Sequence, residues 1–288
     1  MTAPLIRDVS DTAFWIAHLR AVESERTDAL FRDPLAGRLA GRHGREVSAA
    51  MPMERMIAWH VAIRTRIIDD YLGSAIAAGV DCILNLGAGL DTRPYRMDLP
   101  PSLRWIEADY PRVIEYKEEL LAGECARCLL VREKIDLADL PERRRFLASV
   151  NEQSKRLLVL TEGVVPYLTN DETASLAEDL RALDHAACWI VDYLSAQAMK
   201  FRKRKGMDRA MQNAPFRFEP KDWFGFFAQH GWKPKEMRYI APEGERLGRP
   251  IPVPWVMNTA MKIAGLFMPE EKKRAMQQFM GYALLEPS

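Results

Sequence analysis

The first candidate for chemistry is a glycine turn that follows a short apolar run. Gly87, Ala88 and Gly89 come directly after residues 82–86, which are mostly apolar. Because glycine lacks a Cβ atom, a Gly-x-Gly turn lets the backbone approach a bound ligand closely. A dinucleotide-binding turn carries a third glycine three residues later, where this chain has Thr92. The turn therefore predicts a site for an uncharged or zwitterionic part of a ligand rather than for a pyrophosphate.

Two carboxylates follow the next apolar run along the chain. Glu107 and Asp109 lie at or beyond the end of residues 103–108. Asp109 comes about 20 residues after the glycine turn, the spacing at which an acid accepts hydrogen bonds from ribose hydroxyls in dinucleotide sites. The alternative is that Asp109 caps a helix that begins at Pro111. Taken together with the glycine turn, the spacing favours ribose binding.

Three further charged side chains have both a functional and a structural interpretation. Glu162 follows another apolar run, and a carboxylate at a buried strand end needs a partner, which is either a ligand group or a structural arginine. Arg64 and Arg66 share a predicted helix with Asp69 and Asp70. Surface ion pairs alone would explain these two arginines.

These residues are distributed over alternating strands and helices. Short strands are predicted at residues 82–86, 103–108, 127–132, 157–160 and 187–193. Helices are predicted between them at residues 111–121, from 141 onward and at 170–183. Strands that alternate with helices predict an α/β fold with a parallel sheet, which binds ligands at the carboxyl ends of its strands.

Helical and irregular segments flank this core. Asp11 is predicted to cap a helix that runs through Val22, and Pro52 to open a long helix that Gly79 closes. The predicted C-terminal elements are a basic helix at 200–209, a helix at 220–231, a strand at 232–240, a loop at 242–254, helices at 255–267 and 269–278, and a last edge strand from 279.

Composition excludes several classes of protein. The 288 residues carry 41 Lys and Arg against 40 Asp and Glu, so no overall positive field would attract nucleic acid or an anionic membrane. The N-terminus lacks a signal-peptide pattern and the apolar run at 251–268 is interrupted, which predicts a soluble, cytoplasmic protein. The pair Cys125 and Cys128 and the five histidines show no zinc-ligand spacing, so no metal is predicted.

Four segments in this order resemble the leucine carboxyl methyltransferase family: residues 64–69, 86–93, 107–111 and 161–168. The resemblance extends to residues 23–26 and 28–35. It is greatest to a bacterial branch provisionally assigned as S-adenosylmethionine-dependent O-methyltransferases, some of them linked to polyketide pathways. It implies a class I methyltransferase (Rossmann-like) fold, which is a mostly parallel seven-stranded sheet with N-terminal helices and a helical lid. It also implies S-adenosyl-L-methionine as the cofactor.

The linker composition isolates no second domain with its own core, so one methyltransferase domain is predicted over residues 1–288. Its expected parts are an N-terminal helical cap at 1–80, a cofactor-binding core at 81–195, a lid at 196–278 and the last edge strand at 279–288.

The resemblance assigns a role to each residue that matches a family motif. Gly87, with Ala88 and Gly89 beside it, would line the methionine end of the cofactor, and Asp109 would hold the ribose. The other implied contacts are Asp136 and Leu137 at the adenine, Glu162 near the transferring methyl group, and Arg64 at the cofactor carboxylate. Arg66 is an alternative to Arg64 from spacing alone, and Arg20 is placed at the family's N-terminal cationic contact.

The chemistry of methyl transfer indicates which acceptor groups need a general base and which do not. A carboxylate is already ionised at neutral pH and needs no general base. A phenol or alcohol does need one, for which His18 and His60 on predicted N-terminal helices are candidates. Since no obvious base stands out, we expect a small-molecule or peptide-like acceptor that is methylated on a carboxylate, or else on a hydroxyl.

Two other functions and several assignments stay open. The alternatives are a protein that binds the cofactor without catalysis and an NAD(P)-dependent oxidoreductase, against which Thr92 argues. The chain is expected to be a monomer or a homodimer. The basic residues at 200–205 form a solvated helix face or guide an acidic acceptor. The apolar residues Trp255, Met257, Met261, Phe267 and Met268 line an acceptor pocket, fill the core or form a dimer contact.

Overall fold

The computed structural model describes residues 6–204, 211–254 and 268–288. Within these ranges seven strands form one sheet. They are β1 Cys82–Leu86, β2 Arg104–Asp109, β3 Leu129–Lys134, β4 Leu157–Thr161, β5 Ala186–Leu194, β6 Trp232–Tyr239 and β7 Met280–Pro287. Their order is β3-β2-β1-β4-β5-β7-β6; β1 to β5 are parallel, and β7 is antiparallel to both neighbours. Because the chain order reverses between β1 and β4, ligands are expected outside the carboxyl ends of these strands.

Helices lie before, between and after the strands. The N-terminal helices are α1 Val9–Ser24, α2 Ala36–Ala50 and α3 Glu54–Ala77. Between the strands lie α4 Arg93–Arg96, α5 Pro111–Leu120, α6 Leu140–Glu152, a 3₁₀ turn Val165–Tyr167 and α7 Asn170–Arg181. The remaining described helices are α8 Ala196–Arg204, α9 Trp223–Gln229, α10 Ile240–Arg246 and α11 Glu270–Gln277.

The central strands are mostly apolar because both faces of the sheet are covered. On one face Leu84 belongs to a buried cluster that includes Phe227 of α9 and apolar residues of α6 and α7. On the other face Ile83 packs in a cluster with Ile67 and other residues of α3. The long helix α3 therefore lies directly against the sheet, and its polar residues are brought close to the strand ends.

The N-terminal helices begin at residues other than those predicted. Asp8, not Asp11, caps α1, since its side chain accepts a hydrogen bond from the Ser10 backbone N–H at 2.9 Å. Asp11 instead lies in the first turn and pairs with Arg7 at 3.2 Å. Helix α3 does not begin at Pro52, because Met53 adopts a left-handed conformation with φ of 60° directly before the first helical residue.

Two predictions for the C-terminal part are corrected. The last strand β7 is not an edge strand, because it pairs with β5 on one side and with β6 on the other, so that β6 forms the edge. The predicted loop at 242–254 begins inside α10, which ends at Arg246 despite Pro242 and Gly244. The predicted helical piece at 255–267 and the end of the basic helix at 205–209 lie outside the described residues.

The four cysteines differ in their exposure to solvent. Cys82 and Cys188 are buried, Cys125 is exposed and Cys128 is half-buried, and all four are free thiols. A search of the described ranges finds no group of three or more histidine, cysteine or acidic side chains that could hold a metal ion. In the same ranges, no helix has both the length and the apolar character that a membrane crossing requires.

Candidate active site

The glycine turn after β1 has the backbone geometry that its sequence indicated. Gly87 and Gly89 have φ values of 65° and 48°, in the left-handed region that favours glycine. A Cβ atom on Gly87 would lie 2.5 Å from Cγ2 of Val164, so no larger residue fits there without a shift of Val164. The Gly87 N–H donates to the carbonyl of Ala108 at 2.8 Å, which ties the turn to the end of β2.

Asp109 connects the end of β2 to this turn. One carboxylate oxygen accepts a hydrogen bond from the Gly89 N–H at 2.6 Å and the other accepts from the Tyr110 N–H at 2.7 Å. Tyr110, not Asp109, occupies the N-cap position of α5, so the capping alternative is not found. Burial raises the pKa of Asp109, although both backbone hydrogen bonds act in the opposite direction. Each oxygen retains a lone pair for a further donor.

Glu162, directly after β4, contacts two arginines. Its carboxylate lies 2.9 Å from Nη2 of Arg64 and 2.8 Å from Nη1 of Arg93. Burial by itself would raise the pKa of Glu162, but Arg93 and Arg64 outweigh burial and lower the pKa below its usual value. The structural interpretation, a pair with an arginine, is therefore found, and Glu162 also lines the cavity described below.

Arg93 contacts three acidic side chains and was not predicted as a site residue. Its guanidinium lies 2.7 Å from Asp69 of α3, 2.8 Å from Asp91 of the glycine turn and 2.8 Å from Glu162. In the sequence, Arg93 is only the last residue of the segment 86–93 that resembles the family. One buried cation thus holds three elements together, and the sequence positions of Asp69 and Glu162 carry no signal of this contact.

The structure separates the two candidate arginines of α3. Arg64 lines the cavity, and its buried Nε finds no hydrogen-bond partner among the described residues. Arg66 projects elsewhere and pairs with Asp70 at 2.8 Å, as the surface interpretation expected. Arg64 is therefore the arginine of the pair that retains an unused donor at the site.

Of the other residues expected at the cofactor, two line the cavity and one does not. Leu137 lines the cavity, whereas Asp136 is exposed, accepts a hydrogen bond from the Ala138 N–H at 2.9 Å and is not among the described lining residues. Arg20 also lines the cavity, but its guanidinium is engaged by Asp33 at 2.9 Å and donates to the carbonyl of Leu90 at 2.6 Å.

A single large cavity lies where these residues converge. Its volume is about 1250 Å³, and it opens at the carboxyl ends of β1, β2, β4 and β5. The expected cofactor residues that line it are Arg64, Gly87, Ala88, Gly89, Asp109, Leu137 and Glu162. The cavity thus lies at the topological switch point of the sheet, the usual position of a ligand in this architecture.

Asp192 also lines the cavity and was not predicted as a site residue. Asp192 of β5 accepts hydrogen bonds from the Tyr282 hydroxyl at 2.9 Å and from the Gly163 N–H at 3.0 Å. Burial raises its pKa to about 6, and Arg64 opposes that shift. Tyr282 comes from β7, the strand paired with β5, so only the sheet register brings the two side chains together.

Of the two histidines proposed as bases, His60 lines the cavity and His18 is not among the described lining residues. Burial, together with the nearby charge of Arg64, lowers the pKa of His60 to about 3. His60 is therefore neutral at pH 7 and weakly basic.

The site fits a cofactor with a zwitterionic end and a ribose. The glycine turn lines the cavity, Asp109 has lone pairs for hydroxyl donors, and Arg64 has a buried donor without a partner among the described residues. Solved structures share the fold. A provisional methyltransferase from Thermobifida fusca has a TM-score of 0.55 at 15% identity, with 95% of this chain and 94% of that chain covered. A DUF574 family protein from Streptomyces avermitilis has a TM-score of 0.54 at 13% identity, with 94% and 97% covered. The fold is therefore that of the class I methyltransferases.

The sequence comparisons identify the family. The model of the family described as leucine carboxyl methyltransferase matches residues 13–181, and the chain belongs to this family. A Streptomyces avermitilis relative is 32% identical over 257 residues, covering 84% of this chain and 89% of the relative. A Streptomyces coelicolor relative is 32% identical over 234 residues, covering 77% and 82%. Both are provisionally named S-adenosyl-L-methionine-dependent methyltransferases. The chain is an S-adenosylmethionine-dependent methyltransferase, which confirms the predicted fold, enzyme class and cofactor.

The first prediction concerns Arg64. Lysine keeps the charge of arginine but loses its planar fork of donors. The role expected of Arg64 is to donate hydrogen bonds to the cofactor carboxylate, and the loss of one such charge-assisted bond costs about 1.5–3 kcal/mol. Arg64→Lys is therefore expected to raise the Kd for S-adenosylhomocysteine, measured by calorimetry, about tenfold or more. Arg66→Lys is the matched control on the same helix and should bind normally. If Arg66→Lys alone weakens binding, the wrong arginine has been chosen.

The second prediction uses the titration of Asp192. The folded-state pKa of Asp192, about 6, lies above its ordinary value of 3.8, so folding favours the protonated carboxyl. The stability that protonated Asp192 contributes is therefore complete below pH 3.8 and is lost as the pH rises through about 6. Asn can keep an acceptor toward Gly163 and a hydrogen bond to Tyr282 without the charge. Asp192→Asn should therefore exceed the wild type in free energy of unfolding by about 1–3 kcal/mol at pH 8, and by less at pH 5. Urea titrations at both pH values test this, and an equal difference at both would contradict it.

Proposed function

We propose that this methyltransferase transfers a methyl group to an oxygen, the carboxylate of a small-molecule or peptide-like acceptor. The residues proposed to hold the cofactor are the expected ones that line the cavity: Arg64, Gly87, Ala88, Gly89, Asp109, Leu137 and Glu162. When bound, S-adenosylmethionine supplies an electrophilic methyl group that carries its own leaving group. The tasks left to the chain are to align the acceptor oxygen and to exclude water.

The observation that carries the choice of a carboxylate is the surroundings of His60. Among the described residues that line the cavity, it is the histidine available as a base, and it lies near the positive charge of Arg64. A proton on His60 would be disfavoured by burial and by this charge, so the ring is poorly suited to deprotonate an alcohol or phenol. A carboxylate acceptor is ionised at neutral pH and needs no such step.

Asp192, one of several acids that line the cavity, is held by the protein on both carboxylate oxygens. Both oxygens of Asp192 accept hydrogen bonds from the protein, one from Gly163 and one from Tyr282. These bonds orient the carboxylate toward the Glu162 turn and toward β7. We assign Asp192 to the support of that turn rather than to proton transfer from an acceptor.

The stability of the product distinguishes the kinds of acceptor. The enzyme is incubated with methyl-labelled S-adenosylmethionine and a panel of carboxylic acids with the corresponding primary alcohols and phenols. A methyl ester releases labelled methanol in mild alkali, whereas a methyl ether does not. We expect volatile label from the acids only, and less of it with Asp109→Ala. Alkali-stable label would refute carboxylate methylation, and cofactor binding without transfer to any acceptor would favour the non-catalytic alternative.

A further inference from the structure

Large apolar side chains from four separate segments of the chain form one wall of the cavity, called the apolar wall below; Arg202 also lines the cavity, with its guanidinium 3.6 Å from the centroid of the Phe216 ring. Met53 and Ile57 come from the start of α3, Phe201 from α8, Phe216 from the stretch after residue 211, and Met276 and Phe279 from the C-terminal end. Only the tertiary structure brings these side chains to one surface. Such a wall binds the apolar part of a ligand and leaves its polar end to the residues near Arg64 and Glu162.

The cavity is large enough for a second molecule beside the cofactor. Its volume of about 1250 Å³ exceeds the upper end of the roughly 300–1000 Å³ that is usual for a site holding one drug-sized ligand. The proposed cofactor residues occupy the side near the glycine turn. The rest of the lining combines the apolar wall with charged side chains such as Asp171, Glu172 and Arg217.

The apolar wall continues to the protein surface. Phe201 and Met276 line the cavity yet are 39% and 50% exposed, which places them at its mouth. The ring of Phe201 meets the ring of Phe279 edge to face, with 5.8 Å between their centroids. Large apolar side chains grouped at an opening mark a binding surface more often than single exposed ones do. The wall thus extends to residues that solvent reaches.

We propose that the acceptor is an amphipathic carboxylic acid with an extended aliphatic chain, which lies along this wall while the carboxylate reaches the polar end of the cavity. This inference rests on the proposed carboxylate methylation. Each methylene group that moves from water onto the wall contributes about 0.8 kcal/mol, which corresponds to a three- to fourfold gain in affinity.

The test uses unbranched monocarboxylic acids of increasing length, from butanoic to dodecanoic acid. Their Kd values are measured by calorimetry with the enzyme saturated with S-adenosylhomocysteine, and their kcat/KM values by release of labelled methanol. We expect the affinity to rise about three- to fourfold per methylene until the chain reaches the mouth. Met276→Glu places a charge at the mouth, and should reduce the ratio of long-acid to short-acid affinity at least tenfold. Leu129→Glu is the matched control, because Leu129 is also an exposed apolar residue but lies on β3, away from the cavity.

Each outcome separates this inference from the proposed function. Ester formation with no dependence on chain length would overturn the extended acceptor while leaving carboxylate methylation intact. A length dependence that Met276→Glu and Leu129→Glu change equally would overturn the placement of the chain on this wall. Alkali-stable label with no ester from an acid of any length would refute the proposed function itself.

Discussion

Replacing Asp109 by alanine is expected to raise the Kd for S-adenosylhomocysteine by two orders of magnitude or more. The proposed role of Asp109 is to accept hydrogen bonds from both ribose hydroxyls, and each such bond to a charged acceptor contributes about 1.5–3 kcal/mol before relaxation. The substitution also removes the hydrogen bond at 2.6 Å that holds the Gly89 N–H in the turn. Calorimetry with S-adenosylhomocysteine measures the loss, and NAD serves as a ligand that should bind neither protein.

Two comparisons separate binding from folding at this position. Asp109→Asn keeps the size of the side chain and one acceptor oxygen but removes the charge, so its Kd should lie between the wild-type value and that of Asp109→Ala. Thermal melting of the free proteins reports the structural part of the effect. If Asp109→Ala binds S-adenosylhomocysteine normally and only melts at a lower temperature, Asp109 merely supports the turn and the proposed ribose contact is refuted.

The second large effect is expected at Arg93. Arg93→Met removes the cation that Asp69, Asp91 and Glu162 share at 2.7–2.8 Å, and it leaves three carboxylates close together in a buried region. Removing one partner of a buried ion pair costs about 3–5 kcal/mol, because the remaining charge is uncompensated. Urea unfolding at pH 7 should show a loss of at least this size in the free energy of unfolding.

The acid dependence and a surface variant test the cause of that loss. Arg93 acts against burial to lower the pKa of Asp91 and Glu162, so the stability it provides is present at neutral pH and is lost as the pH falls through the folded-state values. The difference between wild type and Arg93→Met should therefore shrink below about pH 4. Arg66→Met, which breaks a partly exposed pair, should cost no more than about 1 kcal/mol at any pH. Equal losses for the two variants would show that the network around Arg93 has no special weight.

Local features of the chain were predictable because they depend on neighbouring residues. Strand β1 was predicted with its observed bounds, since a short, mostly apolar run ended by Gly-x-Gly is typical of a buried strand that enters a tight turn. The errors at Asp11 and Pro52 concern helix starts, where one residue in a left-handed conformation or a neighbouring cap decides the boundary. The position of β7 inside the sheet was missed because a strand's place depends on its partners and not on its own residues.

The sequence by itself determined the strand alternation, the glycine turn and the candidate acid Asp109, since residue type and spacing along the chain carry that information. Only the tertiary structure decided which charges meet. Arg93 and Glu162 are 69 residues apart in the chain, and Asp192 and Tyr282 are 90 apart, yet both pairs are in hydrogen-bond contact. It also decided that apolar residues from four distant segments form one wall. Such contacts follow from strand order and register, which bring together residues whose separation in the sequence carries no trace of their proximity.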